Sequence, residues 1–184
     1  MGRAREPMPV KLIVSMFGGN HAVLRTAMNA LSIRFGDIDY ESELLPFDQT
    51  SYYEKEFGSS LQRIIVSFAT LMMPDGLAEV KVATNHLELA GAVDGKRRVN
   101  LDAGYVSLSK LVLATTKDYS HRIYLASGVY AEVTLRYQGG HFQPWPWTYP
   151  DYASPRYLEI FAGIRRRYMA QLATRGNRLE TTEP

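Results

Sequence analysis

The chain has 184 residues, of which 46% are hydrophobic and 22% charged, and its formal net charge is +2. This is an ordinary composition for a folded domain; at this length about 70% of the unfolded chain's surface is hidden on folding, so one core needs no covalent staples. The absence of cysteine excludes a disulfide framework, thiol catalysis and every cysteine-containing zinc site. The small charge carries no signature of nucleic-acid binding. No apolar run approaches the roughly 20 residues of a membrane-spanning helix. The opening "MGRAREPMPV" lacks both the apolar stretch of a secretory signal and the Ser or Thr of a myristoylation signal. A cytoplasmic location is the expectation.

Residues 1–9 read as a flexible tail and 10–174 as a single domain. "KLIVSMF" (11–17) is apolar on both alternating faces, which predicts a central strand. Gly18-Gly19-Asn20 turns the chain, with Asn20 as a helix cap. Leu24, Ala27, Met28, Leu31 and Phe35 follow at helical spacing, and Gly36 stops the helix. "IDYESELLPF" (38–47) alternates as a strand does, "QTSYYEKEFGSS" is a polar connection with one helical turn, and "RIIVSF" (63–68) is a mostly buried strand. Pro74-Asp75 opens a helix with Leu77, Val80, Thr84 and Leu87 on one face. "DGKRR" (94–98) is a turn, and "RVNLDAGY" a short strand. "SLSKLVLA" (107–114) reads as a short helix capped by Ser107. "HRIYLAS" and "VYAEVTLRY" flank Gly128 as a β-hairpin. "PWPWTYPDY" (144–152) reads as an ordered aromatic loop, more suited to packing on the core than to stacking bases. Ser154-Pro155 begins a last helix with the stripe Leu158, Phe161, Ile164, Tyr168 and Leu172. Residues 175–184 read as a second flexible tail.

These elements predict an α+β domain: a mixed, mostly antiparallel sheet with a ferredoxin-like βαββαβ first part, then a helix, a β-hairpin and a C-terminal helix, the helices packed mainly on one face. Several strands alternate polar with apolar. Asp39, Glu41 and Glu43 share one side of their strand, as do Asn100 and Asp102, Arg122 and Tyr124, and Tyr130, Glu132 and Thr134. If these rows share a face, they form a polar concavity; a solvated sheet face gives the same alternation.

The densest polar stretch is "ATTKDYSHRIYL" (114–125). Lys117 and Arg122 suit a phosphate or carboxylate, Arg by its bidentate fork and Lys as a point charge. His121 is the candidate acid/base, with Asp118 to orient it. Ser120, Asn100, Asp102, Tyr124 and Glu132 complete the candidate ligand-binding set. Thr116-Lys117-Asp118 has the wrong spacing for a guanine-reading motif, and no G-x-x-x-x-G-K-[ST] loop is present, so a P-loop GTPase is rejected. Gly18-Gly19 is not a G-x-G-x-x-G fingerprint. His21, His86, His121 and His141 have no metal-ligand spacing; Asp39, Glu41, Glu43 and Asp102 are the acids available to Mg²⁺, and no dedicated metal site is read. Arg165-Arg166-Arg167 reads as a solvated helix face.

The segments "FGDIDYESELLPFDQTSYYEKEFG", "RRVNLDAGYVSLSKLVLATTKDYSHRIYL", "VYAEVTLRY" and "WTYPDYASPRYLEIF" resemble the prokaryotic family termed domain of unknown function 4416. The resemblance runs from about Lys11 to Leu172 and implies a small, single-domain, intracellular protein. Ala103 stands where family members often carry Pro, with Asn100, Asp102, Gly104 and Tyr105 in place. It brings no catalytic residue to carry over. The function expected is recognition of an anionic small molecule, such as a nucleotide or phosphorylated metabolite. The alternatives are an RNA-binding module and a non-catalytic scaffold. Against RNA stand the acidic strand 39–43 and the lack of an RNP-type strand.

Overall fold

The computed structural model describes residues 2–48, 53–58 and 60–180. Its strands are β1 (Val10–Gly18), β2 (Ile38–Glu41), β3 (Leu45–Pro46), β4 (Gln62–Met72), β5 (Val99–Val106), β6 (Lys110–Thr115), β7 (Ile123–Ala126), β8 (Val129–Gln138) and β9 (His141–Pro144). The helices are α1 (His21–Phe35), the single turn α2 (Glu54–Phe57), α3 (Leu77–Ala90) and α4 (Pro155–Glu180). The nine strands form one sheet in the order β2-β4-β1-β5-β6-β8-β7, with β3 beside β4 and β9 beside β8. Every pairing is antiparallel. The molecule is therefore α+β with a mostly antiparallel sheet, extended well beyond the first four strands.

Local chemistry sets the elements. Asn20 caps α1 by accepting the Val23 N–H at 3.0 Å, and Gly36 ends it at φ +94°, where a side chain would be strained. Ser127 and Gly128 both have positive φ, which matches the twist of a tight hairpin between β7 and β8. Pro155 starts α4, which continues past Arg175 to Glu180.

Two apolar layers sandwich the sheet. On one face Leu12, Val14 and Met16 of β1 meet Ile64, Val66 and Phe68 of β4, Leu101 of β5, and Leu24, Met28 and Leu31 of α1. On the other, Ile13, Ile65, Leu111 and Leu135 meet Tyr157, Ile160, Phe161 and Ile164 of α4. The expectation of helices mainly on one face is corrected here, since α4 covers the opposite face. Fully buried Lys11 helps hold it there: its Nζ donates to Asp39 Oδ2 (2.6 Å), Phe68 O (2.8 Å) and Gln171 Oε1 of α4 (2.8 Å).

The predicted helix over 107–114 is also corrected: this segment supplies β6. Ser107 closes a turn, its N–H donating to Lys110 O at 2.9 Å, rather than capping a helix. Leu111, Val112, Leu113 and Ala114 are buried on both faces between β5 and β8. A short apolar run buried on both sides has no period that separates strand from helix, and the neighbouring strands decide it.

Candidate functional site

β5 and β6 pair over only three residues: Gly104 with Leu113, Tyr105 with Val112 and Val106 with Leu111. Gly104 permits that junction, because a Cβ there would lie 2.4 Å from Val112 O. Before Gly104 the two strands part. The exposed edge of β5 is then finished by side chains of α3: Glu88 Oε1 accepts the Leu101 N–H at 2.6 Å, and Lys81 Nζ donates to Leu101 O at 2.8 Å. Backbone groups that lose a ladder partner need another, and this pair supplies both. The resulting cleft holds about 660 Å³, within the range of roughly 300–1,000 Å³ typical of small-molecule sites.

Its walls combine rings with tied charges. Arg97 donates through Nε and Nη2 to both oxygens of Glu56 (2.7 and 2.8 Å) and through Nη1 to Glu88 (2.6 Å). Arg63, buried and lying over the Phe47 ring at 4.1 Å, pairs with Asp151 at 2.7 Å. Tyr53, Tyr119 and Tyr149 add aromatic surface. Burial raises the Glu88 carboxyl above its ordinary range against the pull of Lys81, Leu101 N–H and Arg97, whereas the hydrogen bond from Arg97 lowers Glu56. Burial likewise pushes the Tyr157 phenol, near Arg63, up to about 12.

Of the residues singled out from the sequence, Asn100, Asp102, Lys117, Arg122 and Glu132 line this cleft. Arg122 is already committed: Nε donates to Glu132 at 2.9 Å, Nη1 to Lys117 O at 2.9 Å and Nη2 to the Tyr149 hydroxyl at 3.4 Å. His121 stands beside the cleft, stacked on Trp147, with Nε2 3.3 Å from Glu132 Oε2, so its acid partner is Glu132 and not Asp118. Asp118, Ser120 and Tyr124 are exposed and do not line the cleft. Nor do the acids of 39–43 converge: Asp39 turns to Lys11, Glu41 to Arg25 and Glu43 to Arg156. Among the described residues no group of three or more His, Asp or Glu could hold a metal ion.

Arg63, Lys81, Glu88, Arg97 and Asp151 also line the cleft but were not among the sequence candidates. The legible signal was a charge inside an apolar context: Arg63 heads "IIV", and Glu88 sits between Leu87 and Leu89. The aromatic loop packs on the sheet, Trp147 Nε1 donating to Val133 O at 3.1 Å, and its end from Tyr149 to Tyr152 lines the cleft as well. A more open depression of about 490 Å³ lies between α1 and β2. Among the described residues no helix is long and apolar enough to cross a membrane.

No curated protein and no solved structure matches the chain. A family model described as Domain of unknown function (DUF4416) matches residues 8–168, and the chain belongs to that family.

Proposed function

We propose that the cleft between β5 and β6 binds a small phosphorylated molecule, such as a nucleotide or sugar phosphate. The observation that supports this best is the coexistence, in one concavity, of Lys81 and Lys117 with the rings of Tyr53, Tyr119 and Tyr149. Lys81 donates one hydrogen bond, to Leu101 O, and an ammonium carries three donors. Lys117 lies exposed at the rim. In this reading the lysines meet the phosphate and the rings meet the rest of the ligand. Arg122, with its donors engaged, shapes the rim that carries Lys117. His121, held between Glu132 and Trp147, is the group placed to exchange a proton at the cleft's edge.

We also infer that β1–α1–β2–β4–α3–β5 is a ferredoxin-like unit to which the later strands are added. The neighbour order β2-β4-β1-β5 supports it. The sheet face that such units use to stack RNA bases carries α4, which argues for the small-molecule reading over an RNA module.

The test is a thermal-shift panel of nucleotides and sugar phosphates on the full chain. A rise in Tm that Lys117→Ala removes is the expected result. A flat panel, or a rise that Lys117→Ala and Lys81→Gln both leave intact, overturns the proposal.

A further inference from the structure

Glu56, Glu88, Asp102, Glu132 and Asp151 all line the cleft, and four of them have both oxygens engaged by the protein. Glu56 gives both to Arg97. Glu88 takes Leu101 N–H and Arg97. Glu132 meets Arg122 and His121 through Oε2 and Thr134 through Oε1. Asp151 takes Arg63 and the Tyr152 N–H. Asp102 differs. Its Oδ1 accepts Asn100 Nδ2 at 2.9 Å, while Oδ2 has no hydrogen-bond donor among the described residues. It is half-buried, and its register partner Ser15 carries a buried Oγ that lies close to the Tyr152 hydroxyl without forming a good hydrogen bond. The cleft thus holds one carboxylate oxygen that the described residues leave open.

We propose that Asp102 is the residue through which the cleft recognises hydroxyl groups of its ligand, and that the ligand is a phosphate ester carrying vicinal hydroxyls. This rests on the phosphate reading above and narrows it. An ionised carboxylate only accepts hydrogen bonds, and O–H donors to it form short, charge-assisted ones. The same charge repels a phosphate group. The ligand is therefore oriented, with its hydroxyls on Asp102 and its phosphate toward the lysines. Inorganic phosphate and phosphate esters without hydroxyls lack the group that Asp102 requires.

The experiment is calorimetric titration of the full chain and of Asp102→Asn with ribose 5-phosphate, 2-deoxyribose 5-phosphate, AMP and 2′-deoxy-AMP. Wild type is expected to favour each ribose form over its deoxy form by about tenfold or more, since a site built around a hydroxyl strongly rejects the analogue that lacks it. Asp102→Asn retains an acceptor for Asn100 and is expected to lose that preference, with deoxy affinities within about threefold of wild type. Equal wild-type affinity for ribose and deoxy forms overturns the assignment without using a variant. A preference that survives Asp102→Asn overturns it too, as does a uniform tightening of all four ligands, which would report only the removed charge. Each of these results leaves the phosphate reading standing. Binding of none of the four overturns this assignment; the phosphate reading falls only if the wider thermal-shift panel is flat as well.

Discussion

Glu88 accepts the backbone N–H of Leu101 at 2.6 Å, so a side chain of α3 takes the place of a strand at the edge of β5. Lys81 takes the carbonyl of the same residue. Two charges on a largely apolar helix thereby allow the sheet to open without orphaned backbone groups. Glu88→Ala leaves the Leu101 N–H without its acceptor and removes one partner of Arg97. The expected loss is about 2–4 kcal/mol. Urea denaturation checks it, with an unchanged m-value marking a loss of stability in the same fold.

The two carboxyls that share Arg97 are expected to titrate on opposite sides of the ordinary value of 4.5. Burial raises Glu88, so in the window above 4.5 the folded chain holds a proton that the unfolded chain has released. Its contribution to stability falls as pH rises through that window. The hydrogen bond from Arg97 lowers Glu56, whose contribution is present above 4.5 and lost as pH falls through its folded value. Carboxyl NMR titration reads both. Glu88 titrating below Glu56 would contradict this account.

Gly104→Ala is expected to damage the junction of β5 and β6. The added Cβ would sit 2.4 Å from a backbone oxygen and 2.7 Å from Leu113 Cδ2, and the backbone oxygen has no rotamer by which to withdraw. A loss of about 2–3 kcal/mol is expected, seen as a lowered denaturation midpoint.

Arg122→Lys is expected to cost about 1–3 kcal/mol. One ammonium cannot reproduce a fork that reaches Glu132, Lys117 O and Tyr149 together. Increased amide exchange across residues 117–122 is the accompanying local signature.

Lys117→Ala is expected to weaken a phosphorylated ligand by about tenfold, read by titration calorimetry. The affinity of wild type should fall with added salt, and that of the variant less steeply.

Much of the frame could be read from the chain because its signals were local. Asn20 and Gly36 bracket α1, Gly128 marks the hairpin, and β1 and β4 announce themselves as apolar runs. Residues 107–114 could not be, since burial of both faces by β5 and β8 is a property of the assembled sheet. The cleft divides in the same way. Asn100, Asp102, Lys117, Arg122 and Glu132 stood out as polar residues on or beside alternating strands, and they line it. Lys81 and Glu88 were hidden in the periodicity of α3, and their role follows from a gap between strands that no segment encodes alone. Asp118 lies three positions from His121 in sequence, but the carboxylate that meets the imidazole is Glu132 of β8.

The short union of β5 with β6 makes the sheet two plates meeting at a three-pair joint. α4 lies across that joint like a strap: its apolar face packs on Ile13 and Ile65 from one plate and on Leu111, Leu113 and Leu135 from the other. The angle between the plates is therefore fixed by buried packing that reaches the cleft itself, since Leu113 and Tyr152 belong to both. An aperture held by such packing is open before anything enters it, so the expected association is a single bimolecular phase, linear in ligand concentration, with no slower step for the jaws to shut.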